Sequence, residues 1–272
     1  MTDSPQDLLR RYGLKAKHSW GQNFLGDAGI LGQIADAARL QPGEVVVELG
    51  PGLGHLTRAL LDTGARVVAV ERDRDMVRVL EDQKLPNLTV VSGNAATVVF
   101  KEVAGTSPVV VVGNLPYHLS SSILFQVLEQ HRDVRRAVFT LQQEVVTRIS
   151  AEPGNRDYGL LTVLLDLYFE VEELFSLPSR MFHPPPKVDS AVVLLEGLPR
   201  PRAEIREDAR FIKLVKASFA QRRKTLWNSI RSDPGLGTDE QLAAALETAG
   251  IDRTRRAETL STEEFAAIER AL

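Results

Sequence analysis

Short runs of Val, Ile and Leu recur along the first half of the chain, alternating with stretches of helical spacing, and this alternation leaves few architectures open. The strand-like runs fall at 45–49, 66–70, 88–91, 109–112 and 137–141. The helical patterns fall at about 28–38, 55–63, 75–81, 121–129 and 144–150. Runs that are brief and continuously apolar suit strands buried on both faces, and helices between them make parallel crossovers. The spacing predicts an α/β fold with an open, mostly parallel, Rossmann-like sheet. Two later β-like stretches, 160–169 and 188–195, have no clear helix between them and are expected to pair antiparallel at a sheet edge. The first of these is long and apolar enough to be read as helix as well.

Beyond Leu198-Pro199-Arg200-Pro201 no strand pattern returns. Thr238-Asp-Glu-Gln241 and Ser261-Thr-Glu-Glu264 both fit the box that starts a helix, and Gly250 suits the stop of the first. The expected division is an N-terminal arm (1–27), a sheet domain (28–198) and a small all-helical C-terminal domain (199–272).

The most informative turn is Val45-Val-Val-Glu-Leu-Gly-Pro-Gly-Leu-Gly54, a strand running into glycines and then a helix. Gly50, Gly52 and Gly54 let backbone approach a ligand without Cβ interference. Taken alone, such a turn is also a plain βα corner. Its spacing is G-x-G-x-G rather than the G-x-G-x-x-G favoured over a pyrophosphate, and an acid, Glu48, precedes it. A carboxylate there repels phosphates but suits a ligand carrying a sulfonium and an amino group, as S-adenosylmethionine does. Glu71, at the end of the next strand, stands where an acid holds ribose hydroxyls, and Asn94 follows the third strand as a candidate partner for the cofactor's adenine. Their plainer readings are a solvated acid and a turn residue.

The fourth strand ends in Asn114-Leu-Pro-Tyr117. Ligand chemistry in an open parallel sheet collects at the carboxyl ends of strands. The Asn114 side-chain oxygen and the Leu115 carbonyl can each accept one N–H bond from an adenine amino group. Together they favour a pyramidal nitrogen whose lone pair points at a methyl donor, a stabilisation that grows toward the transition state. Pro116 stiffens the turn and Tyr117 can stack on the base. Phe182, read as the mouth of the stiff Phe182-His-Pro-Pro-Pro-Lys187 loop, is the candidate for its other face, with core packing as the alternative.

Composition narrows the chemistry further. The chain has 272 residues, 43% hydrophobic and 25% charged, and no cysteine. A thiolate nucleophile, a disulfide framework and a Cys-based zinc site are excluded. The five histidines are scattered, so no metal is expected. No apolar stretch nears the ~20 residues that span a bilayer, and no secretory leader pattern is present, so a cytoplasmic location and no membrane association are expected. The net charge is −3, yet residues 200–232 carry ten basic residues against three acids, a net +7. A patch of one sign is what a phosphate backbone feels. Residues 210–230 read as one amphipathic helix, with Phe211, Leu214, Val215, Phe219, Leu226 and Ile230 on one face. Lys213, Lys216, Arg222, Arg223 and Lys224 are the candidate RNA contacts, against the bland reading of a solvated face.

These motifs, with Gly21-Gln-Asn-Phe-Leu25, Leu141-Gln-Gln-Glu-Val-Val146, Phe182-His-Pro-Pro-Pro-Lys-Val-Asp-Ser190 and Phe219-Ala-Gln-Arg-Arg-Lys-Thr-Leu226, resemble the bacterial small-subunit (16S) ribosomal RNA adenine N6,N6-dimethyltransferases over nearly the whole chain. The resemblance implies a class I methyltransferase sheet with S-adenosylmethionine as cofactor. It implies Asn23 and Leu25 closing over that cofactor, and matches Gly50, Glu71, Asn94 and Asn114 to cofactor-contacting positions. It also implies two methyls on each of two adjacent adenosines in the 3′-terminal hairpin of 16S RNA, within the small subunit, by a monomer that also acts in subunit assembly. One departure is Asn94, where the family usually has Asp; an amide oxygen still accepts. The competing functions are a 23S adenine N6-methyltransferase of the macrolide-resistance type and a non-catalytic RNA-binding assembly factor.

Overall fold

The computed structural model describes residues 3–272. The chain divides into two compact units, 1–146 with 172–197, and 147–171 with 198–272.

The first unit is built on strands whose central members are rich in valine. It contains β1 (Phe24–Leu25), β2 (Val45–Leu49), β3 (Arg66–Glu71), β4 (Leu88–Ser92), β5 (Val109–Asn114) and β6 (Val134–Gln142). β7 (Phe169–Leu177), β8 (Phe182–His183) and β9 (Ser190–Gly197) follow. Seven strands form one sheet in the order β4-β3-β2-β5-β6-β9-β7, while β1 and β8 pair separately. The pairs β2–β3, β2–β5, β3–β4 and β5–β6 are parallel, and β6–β9 is antiparallel. Val46, Val110, Val112 and Val138 are fully buried in the shared core with Ile34 and Leu60, which is why these strands read as continuous apolar runs.

Helices connect the strands: α1 (Pro5–Arg11), α2 (Ala28–Ala37), α3 (His55–Asp62), α4 (Arg74–Asp82), α5 (Phe100–Ala104), α6 (Ser120–Glu129) and α7 (Gln143–Ile149). β2 lies between β3 and β5, so the sequential order of strands reverses beside it. Such a switch point opens a crevice at the carboxyl ends of the central strands. Gly113 lets β5 lie close against the end of β2, because a Cβ there would lie 2.7 Å from the Leu49 carbonyl oxygen and 2.7 Å from Leu115 Cδ2.

Of the two readings open for 160–169, strand and helix, the structure shows helix over most of the segment. Residues Leu160–Asp166 are a helix, α8, and the edge strand β7 begins only at Phe169. Thr162, Val163, Leu164 and Leu165 are all buried. A helix buried on every side loses its periodic signature. The Thr162 hydroxyl accepts the Gly159 N–H at 3.1 Å and donates to the Arg148 carbonyl at 2.7 Å, which fixes the helix start. The segment 147–171 accordingly belongs with the helical unit, whereas the sequence placed it in the sheet domain.

The second unit also contains α9 (Asp208–Phe219), α10 (Leu226–Ile230), α11 (Asp239–Thr248) and α12 (Thr262–Ala271). Both capping boxes form, at Thr238 with Gln241 and at Ser261 with Glu264. Gly250, just beyond α11, has φ +68°. The single helix expected over 210–230 is broken: α9 stops at Phe219 and α10 restarts after Thr225, whose hydroxyl accepts the Asn228 N–H. Between them Ala220-Gln-Arg-Arg-Lys224 offers no large apolar side chain to bury, so nothing rewards continuing the first helix.

Candidate active site

Three local sequences converge on one cavity of about 250 Å³ at the carboxyl ends of β2, β3 and β5. Every catalytic and cofactor residue expected from the sequence lines it except Gly54. Gly54 has φ +84° and caps α3. A Cβ there would lie 2.9 Å from Leu80 Cδ2, so this glycine serves the packing of α3 on α4.

The turn after β2 needs its glycines for stated reasons. Gly50 and Gly52 have φ of +67° and +55°, a region that L side chains rarely adopt. A Cβ on Gly52 would also meet Phe24 Cε1 at 2.9 Å. Glu71 at the end of β3 ties this turn down: one carboxylate oxygen accepts the Gly52 N–H at 3.1 Å, the other the Asp73 N–H at 2.8 Å. Burial raises its pKa, and those N–H groups oppose the rise.

Glu48 is 1% exposed. One of its oxygens accepts the Thr57 hydroxyl at 2.6 Å. The other, Oε1, is buried with no hydrogen-bond partner among the described residues. Burial pushes its pKa up to about 8; the Thr57 bond opposes this and the Glu71 charge adds to it. A buried acceptor left open beside a cavity is costly unless something occupies it. A ligand bringing an ammonium group answers that need, and a phosphate does not. The residues present therefore fit S-adenosylmethionine.

At the end of β5 the side chain of Asn114 donates its Nδ2 to the carbonyl of Asn23 at 3.0 Å. That contact turns Oδ1 the other way, leaving it open to accept. The neighbouring Leu115 carbonyl accepts no hydrogen bond among the described residues. Tyr117 is fixed by a 2.7 Å bond between its hydroxyl and that of Ser190, at the start of β9. Asn94 Oδ1 accepts the Ala96 N–H at 3.1 Å, leaving one lone pair and the Nδ2 hydrogens for a ligand. Phe182 does not stand at a mouth: it is 4% exposed and packs into the core while showing one part of its surface to the cavity.

The family model for ribosomal RNA adenine dimethylase matches residues 13–272. The chain belongs to that family. It is 67% identical to the ribosomal RNA small subunit methyltransferase A of Myxococcus xanthus (strain DK1622), over 99% of this chain and 95% of that one. It is 50% identical to the protein of the same name from Anaeromyxobacter sp. (strain K), over the full length of both. Among solved structures it resembles a dimethyladenosine transferase from Plasmodium falciparum, with a TM-score of 0.76, 26% identity and coverage of 90% and 95%. It also resembles the 23S rRNA methyltransferase ErmE, with a TM-score of 0.71, 29% identity and coverage of 92% and 99%. This dimethylase is thus an S-adenosylmethionine-dependent methyltransferase acting on ribosomal RNA.

Sequence reasoning missed several residues in or beside the cavity. His55 is buried on the cavity wall, its Nε2 2.9 Å from the Asp3 carbonyl, and burial lowers its pKa. Lys17, Gln22 and Asp73 join the arm to β3 and α4. Their contacts span more than fifty positions of sequence, and no local pattern marks them.

The five expected RNA contacts lie in the helical unit. Lys213 and Lys216 are exposed on α9, and Arg222, Arg223 and Lys224 are exposed in the turn before α10. Lys213 reaches Asp233 at 3.7 Å and Arg222 reaches Glu258 at 3.8 Å. The apolar positions Phe211, Leu214, Val215, Leu226 and Ile230 are fully buried, as the helical face required. No helix among the described residues is long and apolar enough to cross a membrane.

Proposed function

We propose that the protein methylates N6 of two adjacent adenosines in the 3′-terminal hairpin of 16S ribosomal RNA, within the small ribosomal subunit. It acts as a cytoplasmic monomer and without a metal ion. The observation that carries this reading is the Asn114 amide, held by the Asn23 carbonyl so that, among the described residues, Oδ1 and the neighbouring Leu115 carbonyl both stay open to accept.

An adenine amino nitrogen is a poor nucleophile because its lone pair is delocalised into the ring. Two acceptors on its two hydrogens favour the pyramidal form, so Asn114 and Leu115 stabilise the transition state more than the ground state. Pro116 fixes the turn, and Tyr117, anchored on Ser190, offers a ring on which the base can stack. Phe182 contributes the apolar floor. Asn23, Leu25, Gly50, Gly52, Glu71 and Asn94 form the walls for the cofactor, and Glu48 receives its ammonium. When bound, S-adenosylmethionine supplies a methyl group on a sulfonium, which needs no covalent enzyme intermediate. A base paired in a helix does not reach this cleft, so the target adenosine is extruded or unpaired. The exposed cations Lys213, Lys216, Arg222, Arg223 and Lys224 hold RNA phosphates without reading sequence.

Identity of 67% to a small-subunit methyltransferase, against 29% to the 23S enzyme ErmE, favours the small-subunit substrate. The intact Asn114-Leu-Pro-Tyr117 turn favours catalysis over a binding role alone. The test is incubation of the protein and labelled cofactor with small subunits from an unmethylated strain, followed by mapping of the label. Two adjacent adenosines carrying two methyls each are expected; label in large-subunit RNA, or none, contradicts the reading.

A further inference from the structure

An asparagine amide presents two ends of nearly equal shape and opposite chemistry. Turned by 180°, Asn114 would offer N–H donors to a substrate amine that is itself a donor. Among the described residues the Asn23 carbonyl is the one hydrogen-bond partner of that side chain, so it alone selects the useful orientation. The question then moves to what holds Asn23.

The answer lies one residue beyond Arg72, at Asp73. Its side chain is 2% exposed. One oxygen receives Lys17 Nζ at 2.6 Å and the Asp75 N–H at 3.0 Å, and the other receives Gln22 Nε2 at 2.7 Å. Lys17 also reaches Asp75 at 2.7 Å. Gln22 closes the loop back on the arm, its Oε1 accepting the Lys17 N–H at 2.9 Å. Trp20, between these two, lies 5.3 Å from both the Lys17 and the Arg72 cations, measured to its ring centre. Immediately after Asn23, β1 pairs with β8, so the segment is fixed at both ends. Asp73 in turn donates its own N–H to Glu71, the acid that holds the glycine turn.

We propose that Asp73 is a positioning residue for methyl transfer: by clamping Lys17 and Gln22 it places the Asn23 carbonyl where that oxygen orients the Asn114 amide. The inference rests on the reading of Asn114 given above. Asp73 touches neither reactant. A carboxylate this buried is tolerable only while paired, so the clamp is reciprocal: a loose arm leaves Asp73 uncompensated, and a missing Asp73 leaves the arm loose.

The test combines single-turnover methyl transfer at saturating cofactor with amide hydrogen exchange on the intact protein. Asp73→Ala is expected to slow transfer by about 10- to 100-fold, the cost of a small misplacement of a reacting group, and to speed exchange across residues 17–25 while β2 keeps its protection. In the double variant Asp73→Ala/Asn114→Ala the rate should be no lower than with Asn114→Ala alone, since both changes remove the same orientation. Lys17→Arg should recover most of the rate lost in Lys17→Ala. Because Asp73 also caps α4, Lys17→Ala/Gln22→Ala, which disturbs no helix cap, carries the test if Asp73→Ala does not fold. Multiplying losses in the double variant, or unchanged exchange at 17–25, would overturn the clamp. A wild-type protein that transfers no methyl to adenine would overturn the underlying reading instead, whatever the exchange data show.

Discussion

In the sheet unit the decisive groups are acids out of water: Glu48, Glu71 and Asp73 are at most 8% exposed, and each accepts from a specific donor. In the helical unit the decisive charges are cations in water, with Lys213, Lys216, Arg222, Arg223 and Lys224 all exposed. The first arrangement is rigid and geometric, because a buried acceptor costs free energy unless its partner is correctly placed. The second tolerates many partners and is screened by salt. On the function proposed above, one unit holds a small cationic cofactor in a single pose, and the other holds a polyanion without reading its sequence.

That contrast is open to attack from either side. On cofactor binding the largest effect is expected at Glu48. Glu48→Gln keeps the shape but removes the carboxyl that ionises against the cofactor's ammonium, and cofactor affinity measured by calorimetry should fall about 10- to 100-fold, the worth of one charged hydrogen bond. The same variant tests the buried state itself. The folded protein retains the Glu48 proton up to about pH 8, while the unfolded chain releases it near 4.5. The resulting stability is fully present below pH 4.5 and is lost as pH rises toward 8. Thermal melts of the cofactor-free protein across that window should show the decline, and Glu48→Gln should flatten it.

A smaller effect belongs to the basic turn. Changing Arg222, Arg223 and Lys224 to Ala should lower RNA affinity about tenfold near 100 mM salt and make the log–log salt slope shallower by about 2. Cofactor affinity should not move. An unchanged slope would return these cations to the status of a solvated face. The smallest effect is at Thr225. Thr225→Ala removes a helix cap worth about 1 kcal/mol, which lowers Tm by about 2–4 °C. RNA affinity should change less than in the triple variant, because every cation remains.

The two units also differ in how much of them was legible beforehand. The valine strands and the glycine turn announce themselves because burial on both faces and positive φ each demand particular residues. In the helical unit both capping boxes were readable, whereas α8 read equally as strand or helix, since Leu160-Leu-Thr-Val-Leu-Leu165 is apolar at all positions but one. The break after Phe219 was also hidden, because the periodic apolar positions resume in phase at Leu226. At the site, Asn114, Glu48 and Glu71 sit at strand ends where chemistry is expected. Lys17, Gln22 and Asp73 meet only through the folded chain, and Asn94 already spends one lone pair on its own turn.

The central claim is that two oxygens at the end of β5 direct an adenine amine toward the methyl donor. Asn114→Ala tests it most directly, with the single-turnover methyl-transfer rate and cofactor affinity measured together. The account predicts a rate lower by about 100- to 1,000-fold, as for loss of one transition-state hydrogen bond, with cofactor affinity far less affected. A rate within threefold of wild type would contradict it.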